Sequence, residues 1–216
     1  MIEKRHTVRK YLDKPLDMDL VGLLNTRIEQ NNELYDLTFK LVTNESDGIS
    51  SLAKIISNNT VQNYIILAGK ECSILDEKIG YCGADLILYA QSLGLNTWWC
   101  GGMFNGKNAL KHLEDKDVRV NGVIAIGYGK TQGVPHKSKM ANQVSHYKGE
   151  APDWFKSGIQ ALLLAPSALN RQPYIVNGVG NKVSFKVKSG PLSQVDLGIG
   201  KYFFEFGAGK SNFEWS

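Results

Sequence analysis

The sequence predicts a mixed fold of helices and strands with a diverged internal repeat, and two observations carry that expectation. Segments of helical periodicity alternate with short β-rich runs up to about residue 129, and after a polar stretch at 130–150 the alternation begins again. In addition, "GYCGADLILYAQSLGLNTWW" resembles "DLGIGKYFFEFGAGKSNFEW", and a shift of 115 residues sets Gly83 on Gly198 and Gly94 on Gly209, the two glycines of each segment being 11 residues apart. A glycine inside a helix lets another backbone come close, and one at its end accepts the conformation that stops it. Residues 151–216 are too few to bury a good core alone. The expectation is one domain, 1–216, made of a first half-repeat, 1–150, and a second, 151–216.

The elements follow in order. A basic "RHTVRKY" precedes a helix around "MDLVGLLNTRIEQNN", a strand "LTFKLV" and a helical "ISSLAKIISNN". Next come a buried strand "NYIILAG", a long helix "EKIGYCGADLILYAQSLGL", and two strands holding "TWWCGG" and "VNGVIAIGYG". The stretch "KTQGVPHKSKMANQVSHYKGE" is polar and aperiodic and reads as a connector. Beyond it, Phe155, Ile159, Leu162 and Leu163 recur at three- and four-residue steps, which predicts a helix with Asp153 as N-cap, stopped by Pro166. Strands "YIV" and "KVSFKVK" and a helix "SQVDLGIGKYFFEFGAG" complete the chain.

Composition narrows the class of partner. With 43% hydrophobic and 21% charged residues the chain has the balance of a globular protein. A net charge of +4 from 25 basic and 21 acidic residues forms no basic stripe, so nucleic acid is not expected as a partner. The polar start "MIEKRHTVRK" is unlike a secretory signal, and no apolar run reaches the roughly 20 residues of a membrane span, so no membrane partner is expected. Three cysteines without CxxC spacing fit a reduced, cytoplasmic setting.

Two short stretches carry candidate chemistry. "RHTVR" places Arg5, His6, Thr7 and Arg9 within five residues. Guanidinium groups grip phosphate with paired hydrogen bonds, so the segment reads either as a phosphate site or as a solvated basic terminus. "HKSK", with Lys137 and Lys139, is a second basic cluster open to the same two readings. "APSALNRQP" ends a helix with Pro166, supplies the Ser167 hydroxyl and the side-chain amides of Asn170 and Gln172, and leads through Pro173 into a strand. It reads either as a loop that recognises a heterocycle edge or as an ordinary polar turn. "GYGKT" lacks the leading glycine of a nucleotide-triphosphate loop, and no dinucleotide glycine fingerprint or HExxH occurs, so no metal site is expected.

Taken in order, "RHTVRKY", "GYCGADLILYAQSLGLNTWWCGG", "IAIGYGK" and "APSALNRQP" resemble the FMN-dependent nitroreductase family over most of the chain. The resemblance implies an α+β fold, a mainly antiparallel central sheet flanked by helices, and FMN as cofactor. Family members are usually intertwined homodimers in which an "RRSxR"-like segment of one subunit holds the phosphate and an "APSxxNxQP"-like loop of the other covers the flavin ring. Here the place of that loop after the first helix is taken by "NTRIEQNNELYD", and the loop occurs only in the second half, which in turn lacks "RHTVR". This chain is therefore similar to a duplicated subgroup, a fused pseudo-dimer with one FMN site between its halves, either monomeric or paired again as a homodimer.

Carried over by this resemblance, Arg5, His6, Thr7 and Arg9 would hold the phosphate end, with Lys137 or Lys139 adding charge. Pro166, Ser167, Ala168 and Asn170 would line the ring, Gly101 and Gly102 would approach it through backbone amides, and Lys54 would serve the pyrimidine side. The stretch reads "WWCGGMF" where the family often has proline and glutamate, which leaves the flavin N5 contact unassigned. The implied activity is ping-pong hydride transfer from NAD(P)H through FMN to a nitroaromatic, quinone or flavin acceptor, with the chemistry resident in the cofactor and no separate catalytic residue. The alternatives are an FMN carrier or sensor without turnover, and a flavin-fragmenting or dehalogenating relative of the same fold.

Overall fold

A computed structural model describes residues 2–216 and orders their elements as α1 (Met18–Tyr35), β1 (Lys40–Val42), α2 (Ser51–Ser57), β2 (Tyr64–Gly69), α3 (Leu75–Ser92), β3 (Asn96–Cys100), α4 (Gly106–Lys111), β4 (Arg119–Gly127), β5 (Ser145–Tyr147), α5 (Asp153–Leu162), β6 (Tyr174–Val179), β7 (Lys182–Val187), α6 (Ser193–Ala208) and β8 (Glu214–Trp215). They fall into two units. The first contains Glu3–Leu75 and Asp85–Pro135, the second Asp76–Ala84 and His136–Ser216. "HKSK" thus belongs to the same unit as "APSALNRQP".

The first unit is built on β2, whose six residues are all buried. A strand covered on both faces needs apolar side chains at every position, which "YIILAG" nearly supplies. It lies inside an antiparallel sheet ordered β1-β2-β4-β3. Tyr64, Ile66, Ala68, Trp98, Cys100, Val123 and Ala125 pack in the core on this sheet. Helix α1 ends where Asp36 turns left-handed (φ 53°), and Asn32 fixes the exit by donating to the Phe39 carbonyl (2.9 Å) and accepting from the Phe39 N–H (2.8 Å). The connection to β1 is therefore short. Ser50 caps α2 by accepting from the Ala53 N–H at 3.3 Å.

The second unit sets α5 and α6 against a sheet ordered β5-β6-β7-β8, in which β6 and β7 run antiparallel and the two outer pairs parallel. Burial alternates along β6, with Tyr174, Val176 and Gly178 inside. Its core is aromatic: Phe155, Phe185, Phe204, Phe213 and Trp215 meet edge-to-face or tilted at centroid separations of 4.7–6.4 Å. Small residues bring the helices together. A Cβ on Gly80 of α3 would lie 3.0 Å from the Ile199 N and closer still to the Val195 carbonyl, and one on Gly198 would lie 2.7 Å from the Tyr81 N and closer still to the Glu77 carbonyl. Gly94 and Gly209, both with positive φ (79° and 75°), end α3 and α6 as the overlay predicts. The close approach, however, pairs Gly198 with Gly80, one turn before the Gly83 aligned from sequence.

Elsewhere the elements differ in detail from the expectation. Pro152 occupies the N-cap position of α5 and Asp153 is its first helical residue, because proline presets the entry angle (φ −70°) and leaves Asp153 to interact with the helix dipole. The polar stretch 130–150 contains β5, paired in parallel with β6. Helix α4 and strand β8 have no periodic signal, being six and two residues long. Cys72, Cys82 and Cys100 form no disulfide. No helix among the described residues is long and apolar enough to cross a membrane.

Candidate functional site

In the first unit the amino-terminal segment is fixed along β3. Thr7 bridges Thr97 in parallel, the Val8 N–H donates to the Thr97 carbonyl (3.0 Å), and the buried Tyr11 donates its hydroxyl to the Ala125 carbonyl (3.2 Å). Val8 and Tyr11 act as apolar anchors, so the polar side chains between them have a defined backbone. Arg5 is only 4% exposed, an unusual position for a guanidinium, whereas Arg9 is exposed and sits 5.7 Å from the centre of the Trp98 ring. Burial, and then the charge of Arg5, lower the His6 pKa, so its imidazole is neutral near pH 7 and offers one donor and one acceptor. Gly133, at φ 73°, closes on this segment: a Cβ there would lie 2.7 Å from that of His6 and 3.1 Å from the Thr7 carbonyl.

Gly101 and Gly102 follow directly on β3, and the Cβ position of Gly102 has nothing within 4 Å. That leaves its backbone open to a flat ligand. Burial pushes the preceding Cys100 thiol up to about 12, which leaves it unreactive. Trp98 is core, 3% exposed, and Trp99 is half-buried. Lys54 lies half-buried on α2 in the same unit.

In the second unit the structure brings "HKSK" and "APSALNRQP" together. The buried Gln172 is the hub: its Oε1 accepts from the Lys139 N–H (2.7 Å), its Nε2 donates to the Leu163 carbonyl (2.8 Å), and its carbonyl accepts from the Lys139 ammonium (2.8 Å). Ser138 also donates to the Leu163 carbonyl (2.8 Å), which His136 meets at 3.0 Å, and Asn170 donates to the Lys137 carbonyl (2.9 Å). Ser167 accepts from the Gln172 N–H (2.9 Å), a turn-closing role. Pro166 accepts from the Tyr174 hydroxyl at 3.4 Å. Within this clasp Leu169, Asn170 and Gln172 are all left-handed (φ 53°, 53° and 44°), and Leu169 stands 89% exposed at the tip.

Below the loop lies a residue without a motif to announce it. Asp196, in the first turn of α6 and 1% exposed, accepts the Ala168 N–H through Oδ1 at 2.8 Å, and its Oδ2 stands 3.8 Å from Arg171 Nη2. Burial outweighs that bond and the Arg171 charge and raises its pKa to about 6. The one sequence signal is an acid inside the apolar run "VDLGIG".

The two parts offer different chemistry. Arg5, His6, Thr7 and Arg9 place cationic, imidazole and hydroxyl donors within one five-residue segment, groups of the kind that bind phosphate. The loop offers an apolar side chain and exposed polar backbone. Two other features involve none of these residues. His112 meets both carboxylate oxygens of Asp47 at 3.0 Å and lies 3.7 Å from Glu45, while Tyr64 donates to Asp47 at 2.6 Å. Burial alone would raise the Asp47 pKa, but these bonds hold it lowered. A cleft of about 380 Å³ is lined by Lys70, Glu71, Lys116, Asp117, Val118 and Arg119, none of them a candidate residue.

The sequence model of the family described as "Putative TM nitroreductase" matches residues 1–208, and the chain belongs to that family. None of the curated proteins is detectably similar in sequence. Among solved structures, a "putative nitroreductase" from Thermotoga maritima superposes with a TM-score of 0.67 at 20% identity, over 97% of this chain and 82% of its own. A "putative nitroreductase in complex with FMN" from Desulfovibrio desulfuricans gives 0.51 at 16% identity, over 66% of this chain and 92% of its own. A "putative NADH dehydrogenase/NAD(P)H nitroreductase" from Parabacteroides distasonis gives 0.51 at 16% identity, over 67% and 96%. These likenesses establish a nitroreductase-like fold.

Proposed function

We propose, from that family membership, that the chain is an FMN-dependent oxidoreductase that takes reducing equivalents from NAD(P)H and delivers them to a small-molecule acceptor such as a nitroaromatic, a quinone or a flavin. The observation that carries the proposal is the clasped loop. Three non-glycine residues held left-handed within four positions cost free energy, and such strain persists where the surroundings over-determine it, commonly at ligand clamps. FMN, when bound, supplies the redox chemistry by accepting and passing on a hydride. The donor set fits it: Arg5, Arg9 and Thr7 would hold the phosphate, with Lys137 adding charge, while Lys139 is engaged by Gln172 and acts mainly in the clasp. Pro166, Ser167, Ala168 and Asn170 would line the ring, Leu169 would exclude water, and Gly101 and Gly102 would approach it by backbone.

The order of elements supports an internal duplication, on which the fused pseudo-dimer reading rests. β2 and β7 begin at Tyr64 and Lys182, α3 and α6 at Leu75 and Ser193, β3 and β8 at Asn96 and Glu214, a constant separation of 118 residues. The glycine contacts obey the same shift: Gly80 against Val195 and Ile199 becomes Gly198 against Glu77 and Tyr81. Such reciprocity is the signature of two-fold pairing. Strand direction agrees as well, since β2 and β3 both run antiparallel to β4 and so parallel to each other, as β7 and β8 do.

The test is the visible spectrum of the protein with FMN, before and after anaerobic NADH or NADPH. Bound flavin that bleaches with either nucleotide is the expected result. Bound flavin that ignores both would leave a carrier, and absence of binding at excess FMN would refute the proposal.

A further inference from the structure

We propose that Asp196 is the positioning residue of the 166–172 loop, its buried carboxylate fixing Ala168 and thereby the face that the loop turns toward the flavin. The inference rests on the reading of that loop as the ring-covering element and assigns what holds it in place. The geometry is specific. Asp196 projects from the first turn of a 16-residue helix whose backbone is locked at Gly198, so the carboxylate starts from a rigid base. Oδ1 accepts the Ala168 N–H of the loop at 2.8 Å. Oδ2 is buried without a hydrogen bond, and Arg171, the loop cation nearest it at 3.8 Å, is turned to the carbonyls of Pro191 (2.6 Å) and Ala168 (3.3 Å).

A buried carboxylate with one oxygen unsatisfied is a poor structural choice. An asparagine or a serine could cap an amide at less cost, because the charged form loses more solvation than the neutral one. What the charge adds is strength, since a bond from an N–H to a carboxylate is roughly twice as strong as one to a neutral acceptor. That strength is applied next to Leu169, a left-handed residue whose side chain, unlike that of Asn170, disfavours this conformation. Other charges do not replace it. Glu77 of α3, which packs on the same part of α6, is neutralised by Lys201 at 2.5 Å, and among the described residues the charge that acts on Asp196 is Arg171. Because burial raises the Asp196 pKa to about 6, the Ala168 bond has its charge assistance above that pH and loses it below, although burial itself disfavours the charged form.

The experiment uses the full chain and the variants Asp196→Asn and Asp196→Ala. FMN dissociation constants are measured by fluorescence from pH 5 to 8, and amide exchange of the 165–173 peptide is measured in the flavin-free protein at matched pH. Asparagine keeps a neutral acceptor, so at pH 8 it should show FMN binding weakened about five- to tenfold, with faster loop exchange, from the loss of charge assistance. The wild type should converge on Asp196→Asn as the pH falls through 6. Taking the ratio of the two cancels titration of the ligand's own phosphate, which also falls near pH 6. Alanine, which loses the bond outright, should weaken binding roughly ten- to a hundredfold at every pH. An Asp196→Asn protein with wild-type affinity, exchange and pH profile overturns this proposal alone. A wild type that binds no FMN overturns the flavin reading and the proposal with it.

Discussion

Replacing Gly198 by alanine tests the helix crossing on which the second unit is built. The added Cβ would lie 2.7 Å from the Tyr81 N and closer to the Glu77 carbonyl, and both obstacles are backbone of α3, so no side-chain rotation relieves them. The helices must move apart. Overpacking of this kind costs roughly 1–3 kcal/mol, and here the upper end applies because the clash is with backbone. Alanine's better helix propensity returns about 1 kcal/mol, for a net loss of about 2 kcal/mol. With a urea slope of roughly 2 kcal/mol per molar, the unfolding midpoint should fall by about 1 M. Gly22 of α1, exposed and with nothing within 4 Å of its Cβ position, is the control, and Gly22→Ala should raise the midpoint by about 0.5 M. Because Gly80 meets α6 in the reciprocal way, one separation of the helices makes room for both methyl groups. Gly80→Ala combined with Gly198→Ala should therefore cost about as much as either alone, not their sum. Equal behaviour of Gly198→Ala and Gly22→Ala, or strict additivity of the two crossing variants, would refute this reasoning.

Two further perturbations bear on the candidate site. The folded-state pKa of Asp196 is raised, so the folded chain binds its proton more readily than the unfolded one, and this contribution is fully present below about pH 4 and lost as pH rises through about 6. Asp196→Asn should accordingly be more stable than wild type at pH 7 by up to about 3 kcal/mol, with the gap narrowing toward pH 4, as read from urea midpoints across that range. Arg9→Gln, at an exposed cation, should weaken FMN binding about ten- to a hundredfold in a fluorescence titration while leaving riboflavin nearly unchanged, because the lost charge-assisted bonds go to phosphate.

What could be read from the sequence, and what could not, divides along a physical line. Elements that bury a periodic face were legible: α5 through Phe155, Ile159 and Leu162, β2 through its unbroken apolar run, and the helix stops at Gly94 and Gly209 through glycine's freedom at positive φ. Elements held by partners distant in sequence were not. β5 has no apolar run and exists because β6 accepts it as a neighbour, and β8 is two residues set against β7 with Trp215 in the aromatic core. The candidate loop was legible as a motif, but its supports were not. Gln172 takes hold of Lys139 across 33 residues, and Asp196 reaches Ala168 across 28, separations that no local pattern encodes. The overlay of the repeats shows the same limit. Matching glycine to glycine by spacing chose Gly83, whereas contact chose Gly80, because what the crossing requires is a missing side chain at one point on a helix face.

The two units also differ in ways that bear on how many flavins the chain holds, if it is a fused pseudo-dimer. The resemblance calls for a ring-covering loop and a phosphate-holding segment, and the proposed assignment takes one candidate from each unit. In the first, Asp36–Phe39 is all that joins α1 to β1, and Asn32 bonds across it, so no loop of the "APSALNRQP" kind fits there. The second has that loop in the eleven residues between α5 and β6, but β8 pairs directly with β7, closing the slot that β4 occupies in the first unit between β2 and β3. It was against β3, supported by β4, that "RHTVR" was fixed through Thr7, Val8 and Tyr11. Neither unit repeats the other's candidate segment, so the proposed assignment provides for one flavin. Titration of the protein with FMN at concentrations well above the dissociation constant should break at one flavin per chain, whatever the oligomeric state. A break at two would require a second phosphate-holding segment and would overturn the assignment of Arg5, Thr7 and Arg9 as the sole phosphate ligands of their kind.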